Sequence, residues 1–114
     1  MENTFFGAVA LMGFVFGLAG LVMTLLPPKK INPLYGYRTG GSMRTQERWN
    51  FAQAYSSRLM MFCGVALLAV AGILVLVPVP EKYEMWVMLS SLFVVIVVLF
   101  YKTENELKKR FSEN

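Results

Sequence analysis

Long apolar stretches alternate with short charged segments along this chain, and the pattern predicts three membrane-spanning helices. A helix of about 20 apolar residues crosses the hydrocarbon core of a bilayer. Three stretches of that order contain no Asp, Glu, Lys or Arg: Thr4 to Pro28, Leu59 to Pro80, and Met85 to Tyr101. We therefore predict a single all-α membrane domain over residues 1–114, an integral three-helix bundle with spans at about 5–26, 59–77 and 85–101.

Prolines and capping residues indicate where the first two helices end and begin. Pro27 and Pro28 should end the first span, because proline has no N–H to donate and restricts the residue before it. Thr45 is suited to cap a second helix that continues to about Val77. The polar segment 29–58 is then a loop followed by an amphipathic helix start, placed at the membrane surface.

The last third of the chain predicts a helical hairpin followed by a charged tail. Residues 81–84 are expected to form a very short loop, so that the second and third spans run antiparallel. The third span is rich in Val, Ile and Leu, which is typical of a lipid-facing helix. The tail, 102–114, should continue the helix, with Glu104–Lys108 and Glu106–Arg110 as i,i+4 ion pairs.

Small residues indicate where helices approach one another closely. Gly13, Gly17 and Gly20 lie on one face of the first span, and small residues on such a face allow two backbones to meet. Gly64 and Gly72 are the corresponding packing positions in the second span. The partner is either another helix of the same chain or a second copy in a homo-oligomer, and the motif does not choose between them.

The basic residues predict how the protein is oriented. Ten of the eleven Lys and Arg residues lie in the first loop or in the tail, and Lys82 alone lies on the other side. Cytoplasmic segments carry an excess of Lys and Arg. We therefore expect the loop and the C-terminus in the cytoplasm and the N-terminus outside.

Composition gives no support to catalysis or to ion-coupled transport. The chain has no His and one Cys, so the commonest general base and metal ligand is absent. Ser90 and Ser91 have no nearby base to activate them. No ionisable residue lies inside a predicted span, although ion-coupled transport usually leaves one there. We expect a protein that is not an enzyme, without cofactor, metal or nucleic-acid partner.

The loop between the first two spans is the one long segment that is not simply apolar. Gly40, Gly41 and Ser42 would expose backbone N–H groups just before a helix N-terminus, with Arg38 and Arg44 beside them. Anion sites are built in this way. The ligand would be a lipid phosphate or a carboxylate of a partner protein.

A purely structural explanation remains open for the same residues. Arg38 would then bond to carbonyl groups at a helix end, or to Glu47, and fix the loop. Trp49 would be an interfacial anchor. The candidate residues for anion or partner binding are Asn32, Gly36, Tyr37, Arg38, Thr39, Ser42, Arg44, Trp49 and Gln53.

The order and spacing of several uncommon residues resemble the signature of the SdpI family. These residues are Asn32, Gly36-Tyr37-Arg38-Thr39, Ser42-Met43, Trp49 and Ala52. The family consists of bacterial membrane proteins whose named member gives immunity to a secreted toxic peptide made by sibling cells. The chain resembles the three-helix C-terminal unit of longer members, and Gly40 stands where a proline often follows the Arg-Thr pair.

The resemblance implies a polytopic helical protein of the bacterial cytoplasmic (inner) membrane. It also implies immunity toward a membrane-active peptide, by binding and not by catalysis. In addition, the named member holds a repressor at the membrane. Two alternatives stay open: a pore former resembling phage holins, and a membrane tether for a cytoplasmic protein. Lysis upon expression would favour the pore former, and a pull-down with the loop would reveal a tethered partner.

Overall fold

The computed structural model describes residues 2–77 and 79–111, with the backbone alone for residues 2–6. Within these residues the chain forms three α-helices: α1, Glu2–Leu25; α2, Gln46–Leu76; and α3, Glu81–Arg110. All three are long and apolar enough to cross a membrane. The predicted all-α, three-helix architecture is therefore confirmed, and α3 continues into the charged tail as expected.

The start of α2 is fixed by a side-chain cap. Thr45 has an extended backbone, and its Oγ1 accepts a hydrogen bond of 3.1 Å from the N–H of Arg48. This confirms the predicted capping role of Thr45. At about 1.5 Å per residue the 31-residue helix is far longer than the hydrocarbon core, which is about 30 Å thick. Its N-terminal turns therefore extend beyond the apolar span and pack against the loop.

The connection between α2 and α3 is shorter than the sequence suggested. The expected loop at 81–84 is wrong, because these residues form the first turn of α3. The carbonyl of Pro80 accepts a hydrogen bond of 2.9 Å from the N–H of Tyr83. Glu81 and Glu84 lie where the positive end of the helix dipole stabilises negative charge. A charged segment thus begins this helix instead of interrupting it.

Close backbone contact between α1 and α2 depends on glycine. A Cβ added to Gly64 would lie 2.6 Å from the Cα of Gly17 and 2.7 Å from the carbonyl oxygen of Gly13. One added to Gly20 would lie 2.6 Å from the carbonyl oxygen of Ser57. The small-residue face of α1 therefore meets α2 of the same chain, and the backbones pack without side chains between them.

Gly72 does not take part in this packing. It lies on an exposed face of α2, and a Cβ added there would have no atom within 4 Å. The predicted packing role is therefore wrong for this residue. The glycine seam between α1 and α2 ends before it, and spacing along a helix does not show which face a neighbour covers.

Helix α3 packs against the α1–α2 pair at separated points. Val95 joins a buried cluster with Cys63 and Leu67, and Leu107 joins another with Tyr37 and Ala52. Between α2 and the first half of α3 lies an apolar groove of ≈ 610 Å³. Helix α3 is therefore held less closely than α1.

Burial is distributed in a way that suits a membrane protein. Large apolar side chains of the spans are exposed, including Phe62 at 75% and Phe93 at 68%. Most of the largest fully buried side chains lie instead at the loop-bearing end. They are the apolar Trp49 and Leu107 and the polar Ser42, Ser56, Ser57 and Thr103. The most enclosed part of the molecule is therefore the polar end.

We predict opposite effects of alanine at two glycines of α2. Gly64→Ala should lower the free energy of unfolding by about 1–3 kcal/mol, because its methyl group meets the backbone of α1. Gly72→Ala should raise it by roughly 0.5–1 kcal/mol, because alanine favours the helix and has free space there. Unfolding followed by circular dichroism in detergent measures both. Equal stability of the two variants would contradict the packing described here.

Candidate functional site: the polar cap

The loop begins with a turn that the side chain of Asn32 organises. Its Oδ1 accepts hydrogen bonds from the N–H groups of Leu34 and Tyr35, at 2.9 and 2.7 Å. Its Nδ2 donates to the carbonyl of Lys30 at 2.9 Å. Asparagine commonly fixes turns in this manner. Asn32, a candidate binding residue, is thus positioned to shape the loop.

Gln53 holds the loop against α2 through the backbone of Tyr37. Its Oε1 accepts from the Tyr37 N–H and its Nε2 donates to the Tyr37 carbonyl, both at 2.7 Å. Gly36 has φ +110°, and a Cβ there would lie 2.7 Å from both Gln53 Oε1 and Pro28 Cγ. Only glycine fits this left-handed, crowded position. Gly36 and Gln53 therefore work together to fix Tyr37.

Trp49 is a core residue of the cap. It is 0% exposed, and its Nε1 donates a hydrogen bond of 2.6 Å to the carbonyl of Pro28. Its burial contradicts the alternative of an interfacial anchor, and it equally keeps the indole, a candidate binding residue, from contacting an external partner. A buried indole N–H needs an acceptor, and the proline-rich segment after α1 supplies one. Trp49 thereby ties the end of α1 to the start of α2.

Glu104 of α3 closes the cap from the far end of the sequence. Its Oε2 accepts hydrogen bonds of 2.6 Å from the phenol of Tyr37 and from Thr39 Oγ1. Hydrogen bonds to a carboxylate are short and strong. Glu104 therefore bonds to the loop instead of forming the expected ion pair with Lys108. The Oε2 atom of Glu106 lies 3.6 Å from the Nζ atom of Lys109, in place of the expected pair with Arg110. Glu104 is the functional candidate that the sequence did not reveal.

The turn at Gly40–Ser42 closes on itself. Ser42 is fully buried, its N–H donates to Thr39 Oγ1 at 3.1 Å, and its Oγ accepts from the Thr39 N–H at 2.8 Å. The Glu104 carboxylate lies against Gly41, where an added Cβ would be 2.8 Å from Oε1. The structure therefore does not support the expected external anion site here. The anion beside this turn belongs to the chain itself.

Arg48 fixes the loop, which is the structural role that the sequence left open for Arg38. It is 7% exposed, and its Nε donates a hydrogen bond of 2.7 Å to the carbonyl of Gly41. Its Nη1 lies 3.3 Å from the carbonyl of Phe111, and its guanidinium lies 5.4 Å from the centre of that ring. Arg48 thus connects the glycine turn to the end of α3.

Arg38 and Arg44 are exposed cations of the loop. Within the described part of the chain, no hydrogen bond involves the Arg38 side chain, so it holds neither a helix end nor Glu47. Instead Arg38 lines a pocket of ≈ 320 Å³ where the loop meets all three helices, together with Met23, Met60 and Phe100. Arg44 does not line this pocket. Of these two arginines, Arg38 is therefore the one that lines this cavity.

The phenol of Tyr37 is kept neutral by its surroundings. Burial raises the pKa of Tyr37 well above its usual range, and the hydrogen bond and negative charge of Glu104 raise it further. The neutral phenol is the form that can donate to the carboxylate. The hydrogen bond from Tyr37 to Glu104 thus joins a neutral donor to a charged acceptor.

These elements together form what we call the polar cap, made of the loop, the first turns of α2 and the last turns of α3. Beneath it stand three helices that are each long and apolar enough to cross a membrane. Among the described residues, no group of three or more His, Cys, Asp or Glu could hold a metal ion. The fold and the cap define a multi-pass helical membrane protein.

Comparison with known proteins identifies the family. The SdpI/YfhL protein family matches residues 29–102, which include the loop, all of α2 and most of α3. The chain is also 40% identical over 91 residues to the uncharacterized protein YfhL of Bacillus subtilis (strain 168), covering 80% of this chain and 77% of that protein. No solved structure matches the chain. The chain belongs to the SdpI/YfhL family, which confirms the resemblance seen in its loop.

We predict that Tyr37→Phe destabilises the protein in a pH-dependent way. At pH 7 the variant should lose about 1.5–3 kcal/mol, the range for a hydrogen bond to a charged group. Because the folded pKa of Tyr37 lies above its usual 10.0, its stabilising contribution is present below that pH and is lost as the pH rises above it. The stability difference between the two proteins should therefore shrink above pH 10.

Unfolding in detergent at several pH values between 7 and 11 measures this difference. Tyr101→Phe is the matched control, because Tyr101 is 68% exposed on α3 and its removal should leave stability and pH dependence unchanged. A Tyr37→Phe protein as stable as Tyr101→Phe at pH 7 would show that Glu104 does not close the cap.

Proposed function

We propose that this SdpI/YfhL-family protein protects the cell from a membrane-active peptide by binding it. Family membership supports the proposal, since the resemblance to SdpI implied immunity of this kind. The observation that carries it is the position of Arg38, an exposed guanidinium at the rim of a cavity. Binding requires such a site but no catalytic group.

The Arg38 pocket suits an amphipathic peptide. Met23, Met60, Leu99 and Phe100 line it with apolar atoms, and methionine side chains adapt readily to different apolar partners. A guanidinium offers a planar fork of donors to a carboxylate. An apolar side chain of a peptide that has inserted across the bilayer would enter the pocket while a peptide carboxylate bonds to Arg38.

The polar cap supports this site by fixing the residues on either side of Arg38. The backbone of Tyr37 is clamped by Gln53, and the side chain of Thr39 donates to Glu104. A site held rigid before binding loses less entropy when the ligand arrives. The buried hydrogen bonds of the loop therefore serve the exposed arginine between them.

We predict that Arg38→Ala abolishes protection while the protein still folds. Removing a hydrogen bond to a charged group costs about 1.5–3 kcal/mol, or roughly tenfold or more in affinity. Arg38→Lys should restore little, because lysine keeps the charge without the planar fork. Survival of expressing cells exposed to the secreted toxic peptide of sibling cells measures protection. Melting temperature in detergent should stay unchanged.

Lys108→Ala is the control for this experiment, because it removes one exposed charge outside the pocket. A folded Arg38→Ala protein that protects fully would contradict the proposal. Lysis of cells upon expression would instead support the holin-like alternative. Capture of a cytoplasmic protein that depends on Arg38 would support a membrane tether.

We further propose that the protein lies in the bacterial inner membrane with the polar cap in the cytoplasm. The excess of Lys and Arg in the loop and tail supports this orientation. Asn3 and Ser112 would probe the two ends of the chain, but their side chains lie outside the described residues. Ser42, in the loop, is buried. Better probes are exposed: Arg44 in the loop between α1 and α2, and Lys82 in the first turn of α3, at the opposite end of the spans.

Cysteine labelling tests the orientation. In a background with Cys63→Ala, a membrane-impermeant maleimide added to intact cells should label Lys82→Cys and leave Arg44→Cys unlabelled. Both should react after the membrane is permeabilised, since both residues are exposed. Labelling of Arg44→Cys in intact cells would reverse the proposed orientation.

A further inference from the structure

A second cavity lies where α1 ends, outside the Arg38 pocket. This cleft of ≈ 730 Å³ is bounded by the end of α1, the start of the loop and the first half of α2. Lys29, Lys30 and Arg58 line it, and every residue that lines it is among those described. None of the residues that line the cleft is acidic. The cleft therefore has a positive lining without an internal counter-charge.

The three cations line the cleft from two segments of the chain. Lys29 and Lys30 follow directly after the proline pair. Arg58 lies on α2, at the far end of the part of that helix that lines the cleft. A topology signal requires only that basic residues stand near a span. It does not require them to line one concave surface, so their shared position in this lining calls for a separate explanation.

Neutral polar groups of α2 complete the cleft wall. Gln46 Nε2 donates to the carbonyl of Lys29 at 2.6 Å and to Asn50 Oδ1 at 2.8 Å. These bonds attach the lysine segment to α2 and use the acceptor of Asn50. The Nδ2 group of Asn50, an exposed residue of the lining, remains as a donor. The wall thus offers donors to an anion.

The cleft also adjoins apolar surface at the end of a membrane span. Met23 and Pro27 belong to its lining, and Leu25 and Leu26 beside it are 68% and 69% exposed. Because this is where α1 stops, the cleft lies at the depth of lipid headgroups. An occupant with an anionic head and an apolar tail would satisfy both surfaces at once.

We propose that this cleft binds the phosphate group of an anionic phospholipid. Lys29, Lys30 and Arg58 neutralise the phosphate, the Asn50 amide donates to it, and the acyl chains lie along the exposed apolar end of α1. The cleft and the Arg38 pocket share Met23 but not their cations, because Arg38 does not line the cleft and these three cations do not line the Arg38 pocket.

The test compares two triple variants with the same change in charge. The first carries Lys29→Gln, Lys30→Gln and Arg58→Gln. The control carries Lys82→Gln, Lys102→Gln and Lys108→Gln, at exposed positions outside the cleft. Native mass spectrometry of the detergent-solubilised protein counts bound lipid during titration with phosphatidylglycerol, and with phosphatidylcholine as the zwitterionic comparison.

We expect the wild-type protein and the control to bind one phosphatidylglycerol in preference to phosphatidylcholine. The cleft variant should bind it roughly tenfold or more weakly, since each Lys or Arg near an anionic lipid surface contributes about 1 kcal/mol. Circular dichroism and size-exclusion profiles like those of wild type show that the variant is folded. Restoring Arg58 alone in the cleft variant should recover part of the affinity.

Three results would overturn the proposal. Equal loss of lipid in both triple variants would mean a general effect of charge and no defined site. Equal binding of phosphatidylcholine would show that the net negative charge of the lipid is not needed for binding. Displacement of the lipid by inorganic phosphate at the same concentration would show that the cleft takes a free anion and not a lipid headgroup.

Discussion

The hydrogen bonds that Glu104 accepts from Tyr37 and Thr39 hold the polar cap of this molecule together. They join the last turns of α3 to a loop more than sixty residues earlier in the chain. Helix α3 packs loosely against α2 along the spans, so this contact decides where its end lies. At the same end of the molecule, Arg48 bonds to the glycine turn and Leu107 of α3 packs against Tyr37 and Ala52.

The two ends of the fold are held by different forces. In the spans, α1 and α2 meet through glycine, and dispersion between closely packed backbones replaces the hydrophobic effect, which lipid weakens. In the polar cap, the contacts are hydrogen bonds among buried donors and acceptors, with Gln53 and Trp49 satisfied by main-chain carbonyls. Rigidity in one region and specificity in the other therefore arise from separate sets of residues.

The sequence predicted the parts of this structure that depend on local pattern. Apolar length located the three spans, and a threonine before a helix start located the cap of α2. The pairing of Glu104, the burial of Trp49 and the exchange of roles between Arg38 and Arg48 depend on which distant segments meet. A tryptophan or an arginine at a membrane surface has several suitable partners, and local spacing does not select one. The loop expected at 81–84 failed for a related reason, since charges there also suit a helix start.

The clamp on either side of Arg38 has a consequence for substitutions at that position. Tyr37 and Thr39 are fixed by Gln53, Ser42 and Glu104, so the backbone of residue 38 keeps its place whatever side chain it carries. A different side chain at position 38 would therefore change the chemistry of the pocket lining without changing the conformation of the loop. A substitution at position 38 is thus expected to alter the pocket and to leave the loop folded.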